Sequence, residues 1–227
     1  MNKKVDFDEY IENYNSLLSD ATNFFSSSEE YFAKYKVSIA KRVVQNNLGN
    51  ILEYGCGIGR NLPYLREAFP GTSLFGSDIA VASLDLAAKE NPEINFFCED
   101  GKVEMAEKFD LIFVAGVFHH VALAERQEVS KILFDRLRPN GTLIIFEHNP
   151  FNPVTCKIVN DCPYDNDALL LKPKELKNLL SNSGFSEVSS YFCLFFPPKF
   201  KKFLAYEKIL SWLPLGGQYY VQATKKP

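Results

Sequence analysis

Long apolar runs are missing from this 227-residue sequence, and so is any pairing pattern among its cysteines. No stretch approaches the roughly 18 apolar residues that span a bilayer, so no transmembrane helix is expected. The start, Met1 to Tyr10, turns acidic where a secretory leader needs an apolar core, which predicts a cytoplasmic protein. Cys56, Cys98, Cys156, Cys162 and Cys193 are scattered, odd in number and without a CxxC pair. Reduced thiols are expected, not a disulfide framework or a zinc site. The net charge of −3 lacks the basic excess of a phosphate-backbone binder, so nucleic acid is not the expected partner. Histidine occurs only three times, which makes the placement of each one informative.

What is present is a globular balance: 46% hydrophobic and 23% charged residues. That excludes whole-chain disorder, collagen-like repeats and coiled coil, and the length suits one domain of ordinary size. Charge is uneven along the chain. Residues 1–30 hold two Lys and seven Asp or Glu, whereas residues 197–227 hold six Lys and one Glu. The two ends are expected to lie near each other, or the basic tail to face an anionic partner.

Residues 6–20 and 29–47 read as two helices, the second from Tyr31, Phe32, Tyr35, Ile39 and Val43 at helical spacing. From residue 50 strands and helices alternate. Strands are expected at 51–54, 73–77, 94–98, 109–115 and 142–146, with helices over 60–69, 80–90 and 124–137 and a turn at Arg138 to Gly141. The strands are apolar throughout, which suits a parallel sheet covered on both faces. A loop is expected over 147–171, then a helix opened by Pro173 and stopped at Gly184, and two closing strands near 187–195 and 218–223. A Pro-bounded insertion rich in Lys and aromatics separates those last two strands.

The informative stretch is Glu53-Tyr54-Gly55-Cys56-Gly57-Ile58-Gly59-Arg60-Asn61, placed where the first strand becomes the first helix. Ligands bind at that edge of open α/β sheets, and glycines let a ligand approach the backbone closely. A dinucleotide fingerprint would need glycine at position 60, where Arg60 stands, so a nicotinamide dehydrogenase is disfavoured. With three further segments in order, the chain resembles the class I S-adenosylmethionine-dependent methyltransferases, well over roughly residues 50–147. Those segments are Leu74 to Ile79, Cys98-Glu99-Asp100-Gly101, and Phe109 to Val121.

The resemblance implies a Rossmann-like, seven-stranded, mostly parallel sheet with helices on both faces. It implies an N-terminal helical cap over 1–48 and a methyltransferase domain over 49–227, with 196–216 part of an acceptor lid. It implies S-adenosylmethionine as cofactor, leaving as S-adenosylhomocysteine. A sulfonium and an ammonium call for acids, which agrees with the acidic residues beside the loop. The implied contacts begin with Glu53, Tyr54, Gly55, Cys56, Gly57, Gly59 and Asn61 at the methionyl end. Asp78, with Ile79 beside it, is placed for the ribose hydroxyls. Asp100 is placed for the adenine amino group, with Glu99 as the off-by-one alternative and Gly101 next to it. Ala115, Gly116, Val117 and Phe118 would lie along the ligand.

All three histidines, His119, His120 and His148, follow strand ends on the ligand edge. His120 or His148 is expected to contact or deprotonate the acceptor, with His119, Glu147 and Asn149 beside them. No acid–histidine spacing of the usual kind accompanies them, so no metal is expected. Tyr10, Tyr14 and Tyr35 from the N-terminal helices are expected to reach the acceptor. The reading is methyl transfer to a small molecule, at oxygen rather than nitrogen. RNA or protein methylation, a non-catalytic cofactor-binding relative and a peripheral membrane contact are the rival readings, none favoured.

Overall fold

The computed structural model describes residues 29–44, 48–100 and 107–227. Tyr10, Tyr14, Gly101 and the helix expected over 6–20 lie outside these residues. The chain enters through α1 (Glu29–Val43) and then alternates: β1 (Asn50–Tyr54), α2 (Leu62–Ala68), β2 (Ser73–Asp78), α3 (Val81–Glu90), β3 (Asn95–Cys98) and β4 (Phe109–Ala115). It continues through α4 (Arg126–Arg136), β5 (Leu137–His148), α5 (Pro153–Asp161), α6 (Pro173–Asn182) and β6 (Ser186–Cys193). Two single-turn helices follow, α7 (Lys201–Leu204) and α8 (Glu207–Leu210), before β7 (Gln218–Thr224). Among the described residues no helix is long and apolar enough to cross a membrane.

The seven strands form one sheet in the order β3-β2-β1-β4-β5-β7-β6. β1 to β5 pair in parallel, and β7 runs antiparallel to both β5 and β6. Successive residues of the central strands feed opposite faces. Leu52, Ile112, Leu143 and Ile145 join Leu133 of α4 and Leu176 and Leu180 of α6 in one core. Ile51, Leu111, Phe113 and Ile144 join Val37, Ile39 and Ala40 of α1 and Leu62 and Leu65 of α2 in the other. Strands buried on both sides have no polar face to show, which is why their sequences do not alternate.

Several boundaries differ from the expected ones. α1 turns Ala33, Val37, Ile39 and Ala40 to the sheet, so this part of the cap segment is core, and Tyr35 sits at its margin. Arg138 to Gly141 is not a free turn. It extends β5, whose register against β4 shifts between Phe109 and Leu111, with Asn140 in a left-handed conformation at φ 66°. The loop expected over 147–171 contains α5. Asn152 caps that helix by accepting from Val154 N at 2.9 Å and Thr155 N at 3.2 Å, and Pro153 fits its first turn. α6 starts at Pro173 as expected, with Glu175 accepting from Lys172 N at 2.9 Å.

Candidate active site

Parallel pairing brings the carboxyl ends of β1, β2, β4 and β5 to one rim. Tyr54 pairs with Ser77 and Val114, and Ala115 with Phe146. The glycine loop starts at that rim. Gly55, Gly57 and Gly59 all have positive φ, at 69°, 50° and 79°. A Cβ on Gly55 would stand 2.3 Å from a Val117 methyl, so the loop and the segment after β4 touch there. A Cβ on Gly57 would meet no heavy atom within 4 Å, which leaves that face of the loop free to receive a ligand. Asp78 braces the loop: Oδ2 accepts from Gly57 N at 2.7 Å and Oδ1 from Ala80 N at 2.9 Å.

Glu53 is 1% exposed beneath the loop, and Oε1 accepts from Asn61 Nδ2 at 2.6 Å. Among the described residues its Oε2 finds no hydrogen-bond partner. Burial pushes its carboxyl up to about 8, partly offset by Asn61 and Lys36. A cationic ligand group at this place would satisfy the orphaned oxygen, so the residues present fit an aminoacyl sulfonium cofactor. At β3, Glu99 is committed to Arg136, which donates to both its oxygens at 2.5 and 2.9 Å while lying over Tyr54. Asp100 stands exposed beyond it, and Ile79 is exposed just past β2.

The second half of the rim is a histidine–carboxylate cluster. Glu147, 1% exposed, accepts from Val117 N at 3.1 Å and Phe118 N at 2.8 Å through Oε1. Its Oε2 meets His119 Nδ1 at 2.6 Å. Burial opposes charge on His119, but Glu147 and Asp165 outweigh it and raise the imidazole to about 9. His120 Nδ1 meets Asp167 Oδ1 at 2.9 Å. Asp165 Oδ1 lies 3.6 Å from His119 Nε2 and 3.4 Å from His120 Nε2. The His148 ring packs on His119 at 4.9 Å, and burial followed by the charge on His119 lowers it to about 4. His148 is therefore a neutral imidazole at ordinary pH.

The remaining sequence candidates are placed differently from one another. Asn149 is fully buried and pins the insertion: Nδ2 donates to Gly216 O at 2.7 Å and Pro214 O at 3.1 Å. Tyr35 donates its hydroxyl to Glu207 and accepts from Leu194 N at 3.1 Å, at a joint between α1 and the insertion. Both side chains are thus engaged in holding the insertion in place. Cys56 is buried, with its N–H on Ser77 O at 2.9 Å. Sequence reasoning missed Lys36, whose amine lies among Glu53, Glu147 and Cys193 and is lowered by burial. It also missed Asp165, which ends a short 3-10 helix (Pro163–Asp165), and Asp167 just beyond it, 45 and 47 residues from His120. An acid pair so far along the chain carries no local signal that it folds back.

A methyltransferase-domain family model matches residues 52–143, the span that holds the glycine loop, Asp78 and the start of the histidine cluster. Over that span the chain carries a methyltransferase domain of the S-adenosylmethionine-dependent kind. An uncharacterized methyltransferase from Oceanobacillus iheyensis is 24% identical over 154 residues, 67% of this chain and 71% of that one. The phosphoethanolamine N-methyltransferase of Plasmodium falciparum is 25% identical over 133 residues, 55% of this chain and half of that enzyme. A solved S-adenosylmethionine-dependent methyltransferase from Archaeoglobus fulgidus shares the fold with a TM-score of 0.70. It is 17% identical, with 94% of this chain and all of that one covered. The cofactor of this methyltransferase is S-adenosylmethionine.

Proposed function

We propose that the chain methylates an oxygen of a small-molecule acceptor held against His120 and His148. The observation that carries this reading is the histidine–carboxylate cluster, set on the same rim as the glycine loop. When bound, S-adenosylmethionine supplies a methyl group on a positively charged sulfur. Glu53, Gly57 and Asn61 would hold its methionyl end, Asp78 its ribose, Asp100 its adenine, and Ala115 to Phe118 its length. Transfer is an in-line displacement: an acceptor lone pair forms the new bond to carbon as the sulfur–carbon bond breaks and sulfur keeps the pair. Most of the acceleration then comes from alignment and exclusion of water.

A hydroxyl acceptor must also lose a proton. His119 is engaged on both sides, Nδ1 with Glu147 at 2.6 Å and Nε2 facing Asp165 at 3.6 Å, so it is not the group placed to take it. His148 is neutral, and His120 is oriented by Asp167, so these two are the groups able to accept or relay it. The low exposure of the cluster, with side chains of His119 at 2% and His120 at 11%, favours a small group reaching in over a polymer. The relative that acts on phosphoethanolamine is consistent with a small acceptor, although it methylates nitrogen.

The test is incubation with labelled S-adenosylmethionine and a small-molecule cell extract, with the product identified by mass spectrometry. A methylated oxygen on a small product supports the reading, and label in RNA or protein alone overturns it. His120→Ala and His148→Ala are each expected to lower turnover about 10²-fold or more if they handle the proton. Near-normal turnover in both, with an unchanged pH profile, would remove them from that role.

A further inference from the structure

We propose that His119, His120 and Asp165 form a binding site for a divalent transition metal ion of the zinc type. Three features of the cluster point there, and none concerns the cofactor loop. First, one ring nitrogen of His119, one of His120 and one Asp165 oxygen all lie within 4.8 Å of one another, and both Nε2 atoms face Asp165 Oδ1. The two nitrogen-to-oxygen separations, 3.6 and 3.4 Å, are longer than a good hydrogen bond. They are close to the edge of a ligand tetrahedron, about 3.3 Å for bonds near 2.0–2.1 Å. Second, each imidazole presents its outer nitrogen to a different carboxylate, His119 to Glu147 and His120 to Asp167. That leaves the Nε2 of each ring on the Asp165 side, the arrangement in which carboxylates orient metal-ligating histidines.

Third, the cluster concentrates negative charge where little water reaches. Asp165 and Asp167 have side chains 8% and 12% exposed, and Glu147 is buried. The cations facing Glu147 from other elements are Lys36 of α1 and Arg126 of α4. Arg126 directs its donors to Val121 O and Leu169 O instead, at 3.0 and 2.6 Å. A dication among these side chains would balance three carboxylates with fewer protons than the imidazoles alone can supply. The framework is braced for such a role: Leu169 N donates to His119 O at 2.7 Å, which ties the Asp165 segment to the turn after β4.

This departs from the sequence expectation of no metal, because the third ligand comes from a distant segment. Two nitrogens and one oxygen from protein suit zinc and its neighbours, and three protein ligands leave a coordination position for water or an acceptor oxygen. There the ion would lower the pKa of an acceptor hydroxyl, with His120 then serving as a ligand and His148 left to take the proton. That use rests on the acceptor reading above, whereas the binding of the ion does not.

The experiment uses the full chain, stripped with a chelator and titrated with Zn²⁺ by calorimetry and with Co²⁺ by absorption. One equivalent is expected to bind, with the Co²⁺ d–d bands of a low-coordinate site and no sulfur-to-cobalt charge transfer. His120→Ala and Asp165→Asn are expected to abolish that binding. Asp167→Asn, which alters only the orienting partner, is expected to weaken it about 10- to 100-fold. Calorimetric binding of S-adenosylmethionine by each variant serves as the fold control and is expected to persist. Absence of Zn²⁺ binding to the wild type, binding retained in both ligand variants, or a thiolate band with Co²⁺ would overturn the proposal. Loss of cofactor binding in the wild type would instead strike the methyltransferase reading and leave the metal result standing.

Discussion

Gly55 and Gly57 share a left-handed backbone but differ in what surrounds them. Gly57→Ala meets no neighbour within 4 Å, so it is expected to cost only the strain of the backbone, about 1–2 kcal/mol. Its main effect should be a drop in affinity for S-adenosylmethionine, because the new methyl occupies the ligand face. Gly55→Ala adds a collision with Val117 at 2.3 Å and should lower the melting temperature clearly more. Thermal melts and calorimetric titration of the two variants separate these effects. Glu53 supplies a second prediction. Its ordinary pKa of 4.5 is raised to about 8 in the fold by burial. Between those values the unfolded chain releases the proton while the folded chain keeps it, so this group's contribution to stability falls as pH rises, then levels off above about 8. In the cofactor-free protein, the melting temperature of Glu53→Gln relative to wild type should therefore rise across that window. A flat difference would show that Glu53 ionises freely. Glu53, the glycines and Asp78 were legible because they sit within a few residues of a strand end. Lys36 was not, since a lysine on an amphipathic helix gives no sign of which neighbours it meets.

At the scale of elements, one buried carboxylate joins α1 to the insertion. Glu207, 7% exposed, receives the Tyr35 hydroxyl and, on Oε1, the N–H groups of Phe195 at 2.9 Å and Phe196 at 3.1 Å. Glu207→Ala leaves those donors without their acceptor, at a cost of about 1–3 kcal/mol. Limited proteolysis should then cut faster within 196–216, while Tyr35→Phe should show a smaller change of the same sign. Unchanged cleavage in both would mean the joint does not hold the insertion. The buried strands and the helices between them were readable from apolar runs broken by Gly and Pro. α5 was missed because its signals, Asn152 and Pro153, look like loop residues unless the helix after them is already known. The extension of β5 was missed because Arg138 to Gly141 has turn chemistry, and the sheet absorbs it as a bulge.

Across the whole molecule, β7 lies between β5 and β6 and carries Tyr219 into the core. That side chain is fully buried and donates its hydroxyl to Leu171 O at 3.0 Å. Tyr219→Phe should cost about 1 kcal/mol and Tyr219→Ala about 3–5 kcal/mol by urea unfolding. Equal losses would place the value of the residue in its hydroxyl, against this packing. The antiparallel last strand was expected from the family resemblance, whereas nothing in composition or periodicity says where in the sheet it inserts.

That insertion has a consequence for how the protein is made. β6 leaves the ribosome before β7, the strand that ties it to the rest of the sheet. Translation from residue 194 to residue 224 takes roughly 2–6 s at about 5–20 residues per second. Through that interval a newborn β6 has a bare backbone on the side meant for β7, open to mispairing with other nascent chains.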